Sequence, residues 1–228
     1  MRPVIKPDRQ NPDSTPKTYK NWGDAKPELI EHIGGYCSFC ERPSYSAGLD
    51  VEHVQSKRLA QYKDLILRWD NFLLGCKNCN STKGKKDVTK NSVFMPHWDN
   101  ILCYITYGAS GIVEVKKGLD DKTMTKTINF INLVGLDREP GHPKYSSKDD
   151  RYRQREKTFD LAIRYLSKFR SNKADTETIV DLASARGFFG IWLVVFTNEQ
   201  VVIDKLISSF NGTCKDCFDK NGMPLVRL

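Results

Sequence analysis

No stretch of this 228-residue chain approaches the roughly 18 uninterrupted apolar residues that a membrane-spanning helix needs. The opening MRPVIKPDRQNPDSTPKTYK lacks the apolar core of a secretory signal. Internal repeats and low-complexity tracts are missing as well. Nothing therefore supports secretion or membrane spanning, and the expectation is a cytoplasmic protein. An even set of cysteines is also lacking: there are seven, which argues against a complete disulfide framework. In a reducing compartment, close cysteine pairs are metal ligands or redox groups more often than disulfides.

What is present points to a globular protein. The 39% hydrophobic content, 11% of residues being aromatic, excludes a disordered chain. Thirty-six Lys and Arg against 28 Asp and Glu leave a net charge of +8, which suits a phosphate-bearing partner without requiring one. Residues 1–27 carry five prolines and little apolar periodicity, so an extended arm is expected there. Residues 28–95 open with a short helical pattern stopped by Gly34-Gly35, then alternate small apolar runs with Cys, Asn and Lys. That unit is too small for a large core, and a metal would substitute for one.

From residue 96 to 228 the texture is mainly helical after a hairpin at 101–117. Helices are expected over Asp120 to Val134, Ser147 to Phe169, Thr176 to Ala185, Phe188 to Phe196 and Val201 to Phe210. The class is thus α+β. In the second helix Tyr152, Phe159, Ala162, Ile163, Leu166 and Phe169 are expected to be buried. Arg153, Lys157, Arg164 and Lys168 form a basic face, read first as solvated and otherwise as a nucleic-acid track.

Cys37 and Cys40 have a matching pair in Cys76 and Cys79, with 35 residues between the pairs (positions 41 to 75). Two C-x2-C turns can close a tetrahedral four-thiolate zinc site, which is saturated and so structural. A thioredoxin-like motif is disfavoured because no βαβ pattern surrounds either pair. A third pair, Cys214 and Cys217, is read as two reduced cysteines, since a second zinc site would need ligands such as Cys103, His97 or His142 from afar.

The clamped insert holds LDVEHV (49–54) and WDNFLL (69–74), and NSTKGKK (80–86) follows the second pair. With these elements in this order, residues 36–90 resemble the HNH nucleases, the ββα-metal or His-Me finger family. The resemblance implies a zinc-clamped ββα core. It makes His53 the general base, places Glu52 where the family has a metal-binding Asp, and gives Asn71 the role of orienting the loop and His53. Asn80 takes the position of the last metal ligand. Glu52 is a methylene longer than Asp, and Asp50, two residues earlier on the same strand face, is a substitute or second ligand.

The chemistry is coherent by itself. Phosphodiester hydrolysis needs a base with a pKa near working pH and a cation beside the phosphate. Histidine supplies the first. A carboxylate with an amide oxygen makes a sparse hard-ligand site suited to Mg²⁺ or Mn²⁺. A helix starting near Asn80 would aim its positive end at the anion. Lys83, Lys85, Lys86 and Arg58 are the candidate phosphate contacts.

Across its length the chain also looks like the HNH effector subunits of bacterial anti-phage systems of the Septu and retron-associated kind, whose partner is an ABC-type ATPase. The expected substrate is nucleic acid, DNA ahead of RNA. A non-catalytic zinc module that binds nucleic acid or a partner protein stays open beside it, although zinc-driven folding needs none of His53, Glu52 and Asn80.

Overall fold

The computed structural model describes residues 1–11 and 13–227. It is a mixed α and β structure with two small antiparallel sheets. Helix α1 (Lys26–Ile33) starts with Pro27 in its first turn, where a missing N–H does no harm, and stops at Gly34 with φ 76°. Strands β1 (Leu49–His53) and β2 (Phe72–Cys76) pair so that Asp50 faces Gly75 and His53 faces Phe72. Helix α2 (Lys77–Lys83) leaves β2 without a gap and lies against both strands. All five residues of β2 are buried. At Gly75 a Cβ would stand 3.1 Å from that of Glu52, a tight approach that glycine avoids.

The hairpin expected at 101–117 is β3 (Ile105–Tyr107) with β4 (Val113–Val115). Helix α3 (Asp121–Val134) is capped by Asp120, whose carboxylate accepts from the Thr123 amide, and ends at Gly135 in the left-handed region. Helices α4 (Arg151–Arg170), α5 (Thr176–Arg186), α6 (Phe189–Val195) and α7 (Gln200–Ser209) follow. The apolar run around α6 is a buried helix, with Phe188, Phe189, Ile191 and Trp192 inside. Among the described residues no helix is long and apolar enough to cross a membrane.

Two readings need correction, one of them helical. Ile163 is 48% exposed, and the buried face of α4 runs instead through Arg151, Arg155, Thr158, Leu161 and Ala162. Both arginines are nearly fully buried because their guanidinium groups meet backbone carbonyls. Arg151 donates to Val134 and Gly135, Arg155 to Gly111 and Leu136. A hydrophobicity pattern does not register that kind of burial. Cys214 and Cys217, read as reduced, are joined by a disulfide.

The N-terminal segment has no helix before Trp22 among the described residues, yet it is fastened along its length. Met1 and Val4 are buried in the same cluster as the sheet and helices, and Arg2 is buried with them. Arg2 donates to the carbonyls of Ile33 and Asn211, both at 2.6 Å, and Lys6 donates to those of Trp69 and Phe72.

Candidate active site

The two cysteine pairs meet where α2 leaves β2. Their four sulfurs lie within 4.8 Å of one another, all buried. A zinc ion bonded to four thiolates spaces them about 3.8 Å apart, and Cys40 Sγ stands 3.8 Å from Cys76 Sγ. The surroundings suit the negative charge such a centre carries. The Cys76 amide donates to Cys37 Sγ at 3.3 Å, and Arg151 Nη1 donates to Cys79 Sγ at 3.0 Å. Four buried thiolates this close repel one another and need a cation among them. The cluster fits a structural zinc ion.

His53 ends β1. Its Nε2 lies 2.8 Å from the carbonyl of Ile66. A carbonyl only accepts, so Nε2 carries the proton and the neutral ring keeps its lone pair on Nδ1. The imidazole is 5% exposed and packs edge-on against Phe72 and Trp22. Burial lowers its pKa below the usual value, and Lys57 and Lys83 push the same way.

Asn71 organises the connection between the strands. Its Oδ1 accepts from the Gln55 amide at 2.8 Å, and its Nδ2 donates to the carbonyls of Gln55 and Leu65, both at 3.1 Å. Leu65 immediately precedes Ile66, so the residue that pins the imidazole is itself pinned. Lys6 adds its ammonium to the carbonyls flanking Asn71.

A cleft of about 390 Å³ opens beside His53, lined by Glu52, Asn80, Ser56, Lys57 and Arg58 among others. Asn80 donates from Nδ2 to Asp50 Oδ2 at 3.3 Å. This turns the amide oxygen away from Asp50. Glu52 is 5% exposed, and Lys83 Nζ lies 2.8 Å from its Oε1. Burial raises the Glu52 pKa, and Lys83 works against that rise.

Several sequence expectations end elsewhere. Lys83 is not a surface lysine: it is 1% exposed, and besides Glu52 it donates to the His53 carbonyl at 2.7 Å. The cause is that α2 begins at Lys77 and not near Asn80, which turns Lys83 toward β1 along with Asn80. The same offset puts Asn80 in the second turn, so no helix end is aimed from it. Lys86 donates to the carbonyls of Asn132 and Leu133 in the last turn of α3, where a cation offsets the helix dipole. Lys85 and Arg58 are exposed.

Sequence reasoning missed Trp22 and Lys57. Trp22 lies in a short 3-10 turn (Trp22–Ala25) of the N-terminal segment, with its ring centroid 5.8 Å from that of His53. Lys57 Nζ sits 3.5 Å from the Trp22 ring centre. A lone Trp in a proline-rich stretch carries no periodic signal, whereas a lysine four residues past the histidine was within reach of the argument.

Fold and site together define an α+β protein in which a four-cysteine centre capable of holding zinc adjoins a basic, histidine-bearing cleft. No protein-family model matches the chain. It is similar to the Septu protein PtuB of Bacillus thuringiensis, with 32% identity over 124 residues, 51% of this chain and 44% of that protein. The chain thus spans less than half the length of the curated relative it matches.

Proposed function

We propose that this chain is a metal-dependent HNH endonuclease acting as the effector of a Septu-type anti-phage system. The observation that carries the reading is the His53 imidazole, held by the Ile66 carbonyl on Nε2 so that its basic Nδ1 stays free, at a cleft shared with Glu52 and Asn80. Similarity to a Septu protein supports the defence setting. The proposed partner is an ABC-type ATPase of the same system, and the site of action is the cytoplasm.

His53 Nδ1 takes the proton from the water that attacks phosphorus. Asn80 Oδ1 and the Glu52 carboxylate would hold Mg²⁺ or Mn²⁺, which would stabilise charge on the phosphate and the leaving oxygen. Asp50 positions Asn80 by accepting from its amide nitrogen. Lys83 holds Glu52 in place from behind, and Asn71 orients the loop that pins His53. Arg58, Lys57 and Lys85 meet the phosphate backbone, while zinc held by the four cysteines would tie the turn carrying Cys37 and Cys40 to the junction of β2 and α2. Asn80 and Glu52, which line the same cleft, would offer two hard oxygen donors with room for water and phosphate in the remaining positions.

The test is cleavage of supercoiled plasmid, linear duplex, single-stranded DNA and total tRNA by wild type and His53→Ala, with Mg²⁺, Mn²⁺ or neither, in the presence and absence of the proposed ABC-type ATPase partner. DNA cutting that requires the metal and vanishes in a zinc-loaded His53→Ala protein is expected. Cutting of tRNA alone would move the substrate to RNA, and equal cutting by both proteins would remove His53 as the base.

A further inference from the structure

The aromatic edge of the cleft indicates the form in which substrate enters it. Trp69 and Trp192 are buried, as tryptophans that serve only packing are expected to be. Trp22 is 40% exposed, and its neighbours Asn21, Gly23 and Asp24 are exposed too. Its ring nevertheless stands edge-on to the imidazole of His53 at 5.8 Å. The turn that carries it is ordered by two local bonds, Asn21 amide to Asp24 carboxylate at 3.2 Å and Asp24 amide to Asn21 carbonyl at 3.1 Å. It runs straight into α1, so the ring is held on a regular element.

One ring face is met by the Lys57 ammonium at 3.5 Å from its centre. A cation on an exposed ring is a weak contact that a flat, polarisable group can displace. Lys57 and Arg58 are both exposed on the same cleft wall, ready to meet the phosphates on either side of such a group. An exposed ring bearing one cation, Lys57, with a second, Arg58, next to it in the chain and lining the cleft, is a combination that recognises an unstacked nucleotide: the base lies on the ring and the backbone on the charges. In an intact duplex the base faces are hidden in the stack and cannot lie on such a ring.

We propose that Trp22 is the base-stacking platform of this site, so that the nucleotide beside the scissile phosphate is bound unstacked, as in a single strand or a locally opened duplex. This rests on the nuclease reading for its meaning, but its test does not. On accepting the base the ring loses Lys57, whose ammonium turns to the phosphate. Trp22 is then a specificity residue, setting strandedness rather than sequence, because every base has a face to stack.

The experiment measures binding of labelled oligothymidylate, an abasic oligomer of the same length and phosphate count, and a duplex of that length, to full-length wild type, Trp22→Phe and Trp22→Ala without Mg²⁺ or Mn²⁺. Wild type is expected to bind the oligothymidylate about tenfold or more tightly than the abasic oligomer, and more tightly than the duplex. Trp22→Phe keeps most of that preference and Trp22→Ala loses it, with zinc content unchanged. Equal affinity of wild type for the oligothymidylate and abasic chains, tighter duplex binding, or a preference that survives in a folded Trp22→Ala protein overturns the proposal. Cleavage in Mg²⁺ is scored separately. A base preference without cutting, when the ATPase partner is also present, keeps the platform and removes the nuclease; cutting without a base preference does the reverse.

Discussion

Lys83 sets its ammonium 2.8 Å from the Glu52 carboxylate, with both side chains buried between α2 and β1. Removing one member of such a pair leaves a buried charge uncompensated, which is far worse than lacking the pair altogether. Lys83→Met should therefore lose about 3 kcal/mol or more in urea unfolding. Lys83→Met combined with Glu52→Gln should recover a large part of that loss. Arg58→Ala behaves differently. It leaves stability nearly unchanged and lowers the salt dependence of DNA binding by about one unit of slope. A wild-type midpoint in Lys83→Met, or a large destabilisation by Arg58→Ala, would reverse the assignments of these two cations.

The zinc prediction concerns folding and not chemistry. The thiols of Cys37, Cys40, Cys76 and Cys79 converge within 4.8 Å, and metal-dependent modules of this kind derive on the order of 10 kcal/mol of apparent stability from the ion. Metal analysis should find one zinc per chain. A chelator strong enough to remove it should lower the melting temperature sharply. Added zinc restores the original melt, and added magnesium does not. Because Arg151 of α4 reaches Cys79 Sγ, Cys79→Ser should also loosen α4 in hydrogen exchange. Retention of the full melting temperature after zinc removal would show that the cluster is not a folding centre.

These two predictions mark where sequence reasoning succeeded and where it stopped. The cysteine spacing was readable because two short turns and four thiolates are local features. So were the limits of α3 and α5, expected at Asp120 to Val134 and Thr176 to Ala185 and found at Asp121–Val134 and Thr176–Arg186. NSTKGKK reads as a solvated basic run until the start of α2 is known, and a shift of three residues in that start decides which lysine turns inward. Arg151, Arg155 and Arg2 are buried through bonds to carbonyls between about 16 and 209 positions away in the chain, which no local pattern encodes. The arm was legible as irregular and proline-rich, but not as a segment that carries Trp22 to the imidazole.

His53 makes both activity and stability depend on pH, in directions that follow from one cause. Burial holds its folded pKa below the usual value of 6.5, so the neutral, basic form persists to lower pH than in a free histidine. The acid limb of kcat/KM, which reports the free enzyme, should fall with an apparent pKa below 6.5. For stability, the unfolded chain takes up the proton first as pH drops. The contribution of this histidine is then complete above the unfolded pKa and is lost as pH falls toward the folded one. His53→Ala should flatten that part of the stability profile while leaving zinc bound. An acid limb above 6.5 would mean that the ring is charged in the free protein and is not the base.

Asn71 never reaches the cleft in this arrangement, yet its substitution should affect catalysis more than stability. Its side chain ties the Gln55 amide and the carbonyls of Gln55 and Leu65, and so fixes Ile66, whose carbonyl holds His53 Nε2. Asn71→Ala removes all three bonds and leaves buried carbonyls without donors, a loss of about 1–3 kcal/mol. Asn71→Asp keeps the acceptor for Gln55 but sets a carboxylate oxygen against two carbonyls, and should be at least as damaging. With Ile66 released, the imidazole can turn, and a misplacement of about 1 Å is enough to reduce kcat on the order of a hundredfold. KM should change little, because no substrate contact is removed. Faster hydrogen exchange across residues 55–66, with the zinc retained, would connect the two effects. If kcat holds while stability falls, the side chain only closes the loop, and His53 owes its orientation to Phe72 and Trp22.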